Sequence, residues 1–258
     1  VEVTNSLGFV VSDEVDVTVV RQRATGLWSG TVGDSQADMI VPPSGEMLMI
    51  RFKGASQVSG AYRGQINTRE GRWWMPRADG QAIIAGLEST AFYQLAVNDA
   101  TGSNLTPRLS MSGTLRLFEA PEDITPALNH SLSLSHLTAL SQRITPLDSL
   151  AGHWRFLNEL SEVVISITLN EHGVIVGDSY VYEPCAVTGS LQPVPDSTAF
   201  YSVTLNYADR APFGCGVNGL VEKGYALIRS EEGPMLAWYL YSEHDGEMDG
   251  FFYIPTRQ

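Results

Sequence analysis

Lysine is almost missing from this chain: of its 16 basic residues, only Lys53 and Lys223 are lysine and the rest are arginine. Against them stand 29 acidic residues, so the formal net charge is −13. A surface of that sign repels a phosphate backbone, which argues against nucleic acid as the main partner. Long hydrophobic runs are also missing. No stretch reaches the roughly 18 consecutive apolar residues of a transmembrane helix, so no membrane span is expected. Histidine is limited to His130, His136, His153, His172 and His244. None of them forms an H-E-x-x-H pair or another zinc spacing. Neither a G-x-S-x-G elbow nor a Walker loop occurs, so those nucleophile and phosphate-binding devices are not in play.

Cysteine is limited to Cys185 and Cys215. Turn and strand signals surround both, and no further cysteine or nearby histidine completes a metal set. The pair therefore reads as a disulfide and points to an oxidising compartment. No signal peptide is visible, yet Val1 is not a native start. The chain reads as a mature or trimmed fragment.

Hydrophobic residues make up 43% of the 258 positions and charged residues 17%. That is enough apolar material for packed cores and excludes wholesale disorder. The charge is unevenly placed: residues 26–118 carry a net +1 and residues 151–258 a net −9. Such a shift along the chain marks a domain boundary.

Strand signals dominate. Leu48, Ile50 and Phe52 alternate with Met49, Arg51 and Lys53, the period of two that a strand imposes. Similar alternations run through 93–98, 109–117 and 163–170, with turn residues between them. About eight strands are expected in 26–118 and about eight in 151–258. Residues 119–150 break the rhythm with Pro121, Pro126 and Pro146. There Leu128, Leu132, Leu134, Leu137 and Leu140 partly fit a helical stripe, so an ordered linker with a helical turn or two is expected. The halves echo each other. Ser89-Thr-Ala-Phe-Tyr93 recurs as Ser197-Thr-Ala-Phe-Tyr201, and Leu27-Trp28-Ser-Gly30 and Gly152-His-Trp154 open the two halves. The expected fold is all-β: two tandem antiparallel domains, each closing on itself to remove its edges. A small eight-stranded barrel and a compact sandwich both satisfy the pattern, and the barrel is preferred.

At the start, Val15, Val17 and Val19 alternate with polar neighbours, and Asn5–Gly8 reads as a turn. This hairpin, with its Val-Thr-Asn-Ser-Leu-Gly turn, resembles the last two strands of a bacterial immunoglobulin-like domain. The expected organisation is then a terminal hairpin (1–25), a first barrel-like domain (26–118), the linker (119–150) and a second barrel-like domain with the disulfide (151–258).

Gly26-Leu-Trp-Ser-Gly-Thr31, Ser112-Gly-Thr-Leu115, Leu150-Ala-Gly152, Cys185-Ala-Val-Thr-Gly-Ser-Leu191, Tyr201-Ser-Val-Thr-Leu205 and Cys215 together resemble uncharacterised exported proteobacterial proteins and lipoproteins with tandem β domains. Some of those carry immunoglobulin-like repeats upstream. The resemblance implies an exported β-rich protein that is secreted, periplasmic or at the cell surface, with a lipid anchor upstream as one arrangement. Its motifs are short and structural, and it transfers no catalytic residue.

Three clusters carry chemistry. Arg51, Lys53, Arg63, Arg69, Arg72 and Arg77 fall close together, and guanidinium forks suit carboxylates and sulfates. Trp73 and Trp74 are adjacent, so one ring faces outward on a strand and suits a sugar ring. Arg51, Lys53, Arg63, Arg72, Trp73 and Trp74 are therefore the candidate ligand-binding residues. Glu243, Asp245, Glu247 and Asp249 form an acidic turn with some character of a calcium loop, though Thr256 stands where the twelfth-position Glu belongs. The competing reading of that turn is a charged hairpin tip, and calcium is the one cofactor to weigh. Gly214-Cys-Gly-Val-Asn-Gly219 matches G-x-G-x-x-G but lacks the strand before it and the helix after it, so its glycines read as turn glycines.

The expected function is that of a non-enzymatic exported binding or structural module that meets a protein or glycan partner at the cell surface. A lipocalin-like carrier of a small apolar ligand is the alternative, and a glycan-active enzyme the third reading. Filled barrel interiors would separate the first from the second.

Overall fold

The computed structural model describes residues 2–5, 8–11, 24–53, 57–69, 72–75, 80–83, 96–98, 110–118, 125, 128–157, 162–180, 184–195, 197, 199–212, 214–228, 236–244, 247–253 and 256–257. It is almost entirely antiparallel β, in two curled sheets that form half-barrels. A short hairpin of β1 (Glu2–Asn5) and β2 (Gly8–Val11) comes first, paired from Glu2↔Val11 to Asn5↔Gly8. The expected alternation at Val15, Val17 and Val19 lies outside the described residues, as does Ser89–Tyr93.

The first sheet is built from β3 (Gly26–Val32), β4 (Ser35–Val41), β5 (Glu46–Lys53), β6 (Gln57–Gln65), β9 (Gly80–Ile83), β10 (Ala96–Asn98), β11 (Ser110–Phe118) and β12 (Leu128–His136). A separate hairpin, β7 (Asn67–Arg69) with β8 (Arg72–Trp74), sits between β6 and β9 in the chain. The sheet order is β10-β11-β12-β3-β4-β5-β6-β9. Eight strands thus run up and down, with β12 returning to pair with β3, and the end strands β9 and β10 come alongside each other. The β3–β4 hairpin closes at Val32↔Ser35 around Gly33-Asp34. Gly33 has φ +59°, a conformation that glycine adopts without steric cost.

The second sheet runs β13 (Gly152–Leu157), β14 (Val163–Leu169), β15 (Val174–Ser179), β16 (Cys185–Pro193), β17 (Phe200–Asp209), β18 (Val221–Ile228), β19 (Leu236–His244) and β20 (Glu247–Tyr253) as an unbroken meander. After Tyr253 the chain continues into β21 (Thr256–Arg257), which pairs with β13. One strand path therefore touches both margins of the sheet: β20 pairs with β19 and β21 with β13.

Alternating burial separates the two faces of the second sheet. In β13, Trp154 and Phe156 are buried while His153, Arg155 and Leu157 are exposed. The inward residues of the second sheet form one cluster: Trp154, Phe156, Ile165, Ile167, Val187, Val203, Leu205 and Trp238 are nearly without solvent exposure. Phe156 and Trp238 meet edge to face at 5.2 Å, an arrangement aromatic rings favour. The first sheet encloses Trp28, Val32, Tyr62, Leu115, Leu132 and Leu134 together with Met39, Met47, Met49, Met75 and Met111. A third cluster lies between the sheets, where Leu27, Ile40, Leu48, Ile50 and Phe52 meet Leu140, Phe200, Leu227 and Tyr239.

The echo between the two openings is structural. Trp28 Nε1 donates to Ala24 O and Trp154 Nε1 to Leu150 O, both at 2.9 Å and both four residues back. Gly26 and Gly152 stand two residues before each tryptophan with φ of 145° and 148°. Each tryptophan also sits on the strand that pairs with the closing strand, Trp28↔His136 and Trp154↔Arg257.

Residues 128–136 differ from the expected linker. They form β12, an integral strand of the first sheet, with Leu132, Leu134 and His136 buried and Ser131, Ser133 and Ser135 exposed. The serines between the leucines carry a period of two, and that pattern prevails over the helical spacing. Helical structure follows only as α1 (Thr138–Ser141) and a 3-10 turn over Leu147–Leu150. His136 is accordingly buried, not at the solvent: its ring meets Trp28 at 4.8 Å. A Cβ at Gly26 would stand 2.0 Å from His136 Nε2, so only glycine leaves room for that ring.

Cys185, at the start of β16, is bonded to Cys215 in the β17–β18 connection, with Cα atoms 4.9 Å apart. Asp209 holds this connection, accepting from the Cys215 N–H at 2.8 Å and from Asn218 Nδ2 at 3.1 Å. Gly214 and Gly219 lie in the same connection and no helix follows, so the G-x-G-x-x-G run is a turn. Closing a loop over a separation of 30 residues stabilises the fold by about 3–4 kcal/mol on the chain-entropy model. Mass spectrometry without reductant is expected to show no free thiol. A Cys185→Ser/Cys215→Ser double variant is expected to lose about 3 kcal/mol in chemical denaturation.

Candidate functional site

Strand β5 places Arg51 on the same face as Met47 and Met49, inside the first sheet, and Leu48, Ile50 and Phe52 on the opposite face. The neighbours directly across from Arg51 are small: Ala37 on β4 and Gly60 on β6. That leaves the guanidinium room at the rim of the half-barrel. Its Nη1 donates to Tyr62 Oη at 3.2 Å and its Nη2 to Ser35 Oγ at 3.1 Å. Nε is buried and has no hydrogen-bond partner among the described residues. Among the described residues no carboxylate pairs with Arg51. A guanidinium offers five N–H donors, and the described partners take two of them.

Two glycines shape this rim. A Cβ at Gly60 would stand 3.0 Å from Tyr62 Oη, and one at Gly33 would stand 2.8 Å from His130 Nδ1. His130 comes from β12 and faces Leu115 across the β11–β12 pair. Burial and the positive Arg51 guanidinium lower its pKa from the usual 6.5, against a weaker upward pull from Asp34. Four strands thus converge on one rim: β4 with Ser35, β5 with Arg51, β6 with Tyr62 and β12 with His130.

Arg63 is not part of this rim. It lies on the other face of the first sheet, where its Nε donates to Glu46 Oε1 at 2.6 Å. Its guanidinium stacks 4.0 Å above the ring of Tyr241 on β19. Tyr225 Oη on β18 donates to Glu46 Oε2 at 2.7 Å. Glu46 therefore joins the two sheets through a cation and a phenol. Burial, then the bond to Glu46, drives the Tyr225 phenol far above its usual pKa of 10.0. Burial draws Arg63 down, and the hydrogen bond and charge of Glu46 more than reverse this.

The remaining candidates are dispersed. Trp74 is half-buried at the end of β8. The side chains of Lys53, Arg72 and Trp73 lie outside those described. So do the side chains of Glu243, Glu247 and Asp249, and Asp245 as a whole. The backbone around the acidic cluster pairs from Trp238↔Tyr253 to His244↔Glu247, so β19 and β20 form a hairpin. Among the described residues no group of three His, Cys, Asp or Glu side chains is placed to hold a metal ion.

Sequence reasoning found Arg51 but missed Ser35, Tyr62 and His130, which reach the rim from other strands. One signal was available. Between Met47 and Phe52 on β5 both alternating sets are apolar except for Arg51, and a cation on a strand buried on both faces needs partners. The chain matches no protein-family model, no curated protein and no solved structure.

Two outcomes follow from this geometry. Because burial holds His130 below its unfolded pKa, folding favours its neutral form. Its contribution is fully present above about pH 6.5 and is lost as the pH falls below that toward the folded value. His130→Gln is expected to flatten the acid limb of stability against pH between about 7 and 5, measured by thermal unfolding. Glu46→Gln leaves the Arg63 charge half-buried without its carboxylate. It is expected to cost about 1–3 kcal/mol in denaturant unfolding.

Proposed function

We propose that this protein is a non-enzymatic, exported binding and structural module that meets a protein or glycan partner. The observation that carries the reading is the filling of both sheets by their own side chains. Trp154, Phe156 and Trp238 occupy the second sheet, and Trp28 with five methionines occupies the first. A barrel that carries a small apolar ligand needs that volume for its cargo. With the interiors packed, recognition falls to the rims and outer faces.

Two further features support the reading. The Cys185–Cys215 bond suits an oxidising compartment. The shared core between the sheets and the Glu46 junction suit a rigid two-part support. Among the described residues no helix is long and apolar enough to cross a membrane.

The carrier alternative has one observation in its favour, the methionine-rich interior of the first sheet, since methionine adapts to irregular shapes. Titration with the neutral apolar fluorophore N-phenyl-1-naphthylamine separates the two. The module reading expects no saturable enhancement of emission. A saturable one-to-one response with quenching of Trp28 would replace it with the carrier reading.

A further inference from the structure

We propose that the rim around Arg51 is a binding site for a carboxylate group carried by a ligand or partner. The inference deepens the module reading by naming what one of its rims recognises. A carboxylate offers two oxygens in a plane, and a guanidinium meets them with two parallel N–H bonds. Arg51 has the donors for this: Tyr62 and Ser35 take two of its five, and the buried Nε has no acceptor among the described residues. A buried donor left unpaired costs free energy that an arriving acceptor recovers.

The neighbours make the site more than an exposed arginine. Tyr62 Oη and Ser35 Oγ fix the plane of the guanidinium from two strands. Ala37 and Gly60, directly across the register on both sides, keep its flanks clear of bulk. The tyrosine and serine hydroxyls each accept from Arg51 and retain a hydrogen to donate. An oxygen bound at the guanidinium therefore finds further donors beside it.

The charge balance selects a monoanion. The rim supplies one permanent positive charge, His130 is held toward its neutral form, and Asp34 lies close enough to act on it. The chain as a whole is at −13. Inorganic sulfate, with two charges, and a phosphate monoester, with nearly two, meet that field less favourably than a carboxylate with one. Two sources share this chemistry, an acid sugar and an acid with an apolar chain.

The test uses the intact chain and follows the His130 and Arg51 side-chain signals by NMR during titration with sodium glucuronate, sodium octanoate and inorganic sulfate. Glucuronate or octanoate is expected to shift both sets of signals saturably, with sulfate at least several-fold weaker. Arg51→Met is expected to weaken the response roughly tenfold or more, and Arg51→Lys to weaken it in part because it keeps the charge without the fork. Tyr62→Phe serves as a second variant that leaves the arginine in place. It is expected to weaken binding with the thermal unfolding profile still cooperative. A glucuronate response alone identifies an acid sugar. Octanoate shifts confined to the rim identify an apolar acid. Octanoate shifts that extend to Trp28 and the methionine methyls would keep the Arg51 site and overturn the module reading. The proposal falls if neither carboxylate moves the signals, if sulfate binds more tightly, or if the response survives unchanged in Arg51→Met. In each of those cases the module reading still stands on its own test.

Discussion

Strand β5 is buried on both faces, and the rest of the molecule is arranged around that constraint. Met47 and Met49 point into the first half-barrel, while Leu48, Ile50 and Phe52 point at the second sheet. Burying apolar surface gains roughly 25 cal/mol per Å², so a strand that does this twice anchors two cores at once. Polar side chains on such a strand must find partners in place. Glu46 does so with Arg63 and Tyr225, and Arg51 does so in part with Tyr62 and Ser35. The junction between sheets and the candidate rim are two consequences of one doubly covered strand.

The two polar clusters differ in how complete they are. At the junction, a carboxylate, a guanidinium and a phenol satisfy one another, and Tyr241 covers the cation. Breaking one partner there leaves a charge half-buried, which makes the arrangement a matter of stability. At the rim the cation has hydroxyls but, among the described residues, no carboxylate paired with it. A closed set holds structure together. An open set leaves a directional donor available.

Much of this was legible in the chain. The alternations at 48–53 and 163–170 are strands, the two cysteines are bonded, and the glycine–tryptophan openings correspond atom for atom in their indole bonds. The failure at 128–136 has a definite cause. Leucines at 128, 132, 134, 137 and 140 allow either spacing, and only the exposed Ser131, Ser133 and Ser135, alternating with Leu132 and Leu134, decide it. The rim was half legible. Arg51 announces itself as a cation among apolar neighbours, but His130 lies some eighty positions away. It arrives only because β12 folds back beside β3, and no local pattern encodes that return. The separation of Arg51 from Arg63 follows from register, since nearness in sequence does not say which face of a sheet a side chain takes.

The way each sheet closes bears on how the chain reaches its fold. Trp28 pairs with His136 and Trp154 with Arg257, so each half joins strands about a hundred residues apart. Such a junction forms late, because the entropy of closing so large a loop is spent before the contact returns anything. Until then β3 and β13 present unpaired edges that invite pairing with another chain. In each case the strand at risk carries a tryptophan whose indole is tied to its own backbone four residues earlier. The bond is local enough to form first. It would fix the course of that strand while its distant partner is still being made, a nucleus placed where misassembly would begin.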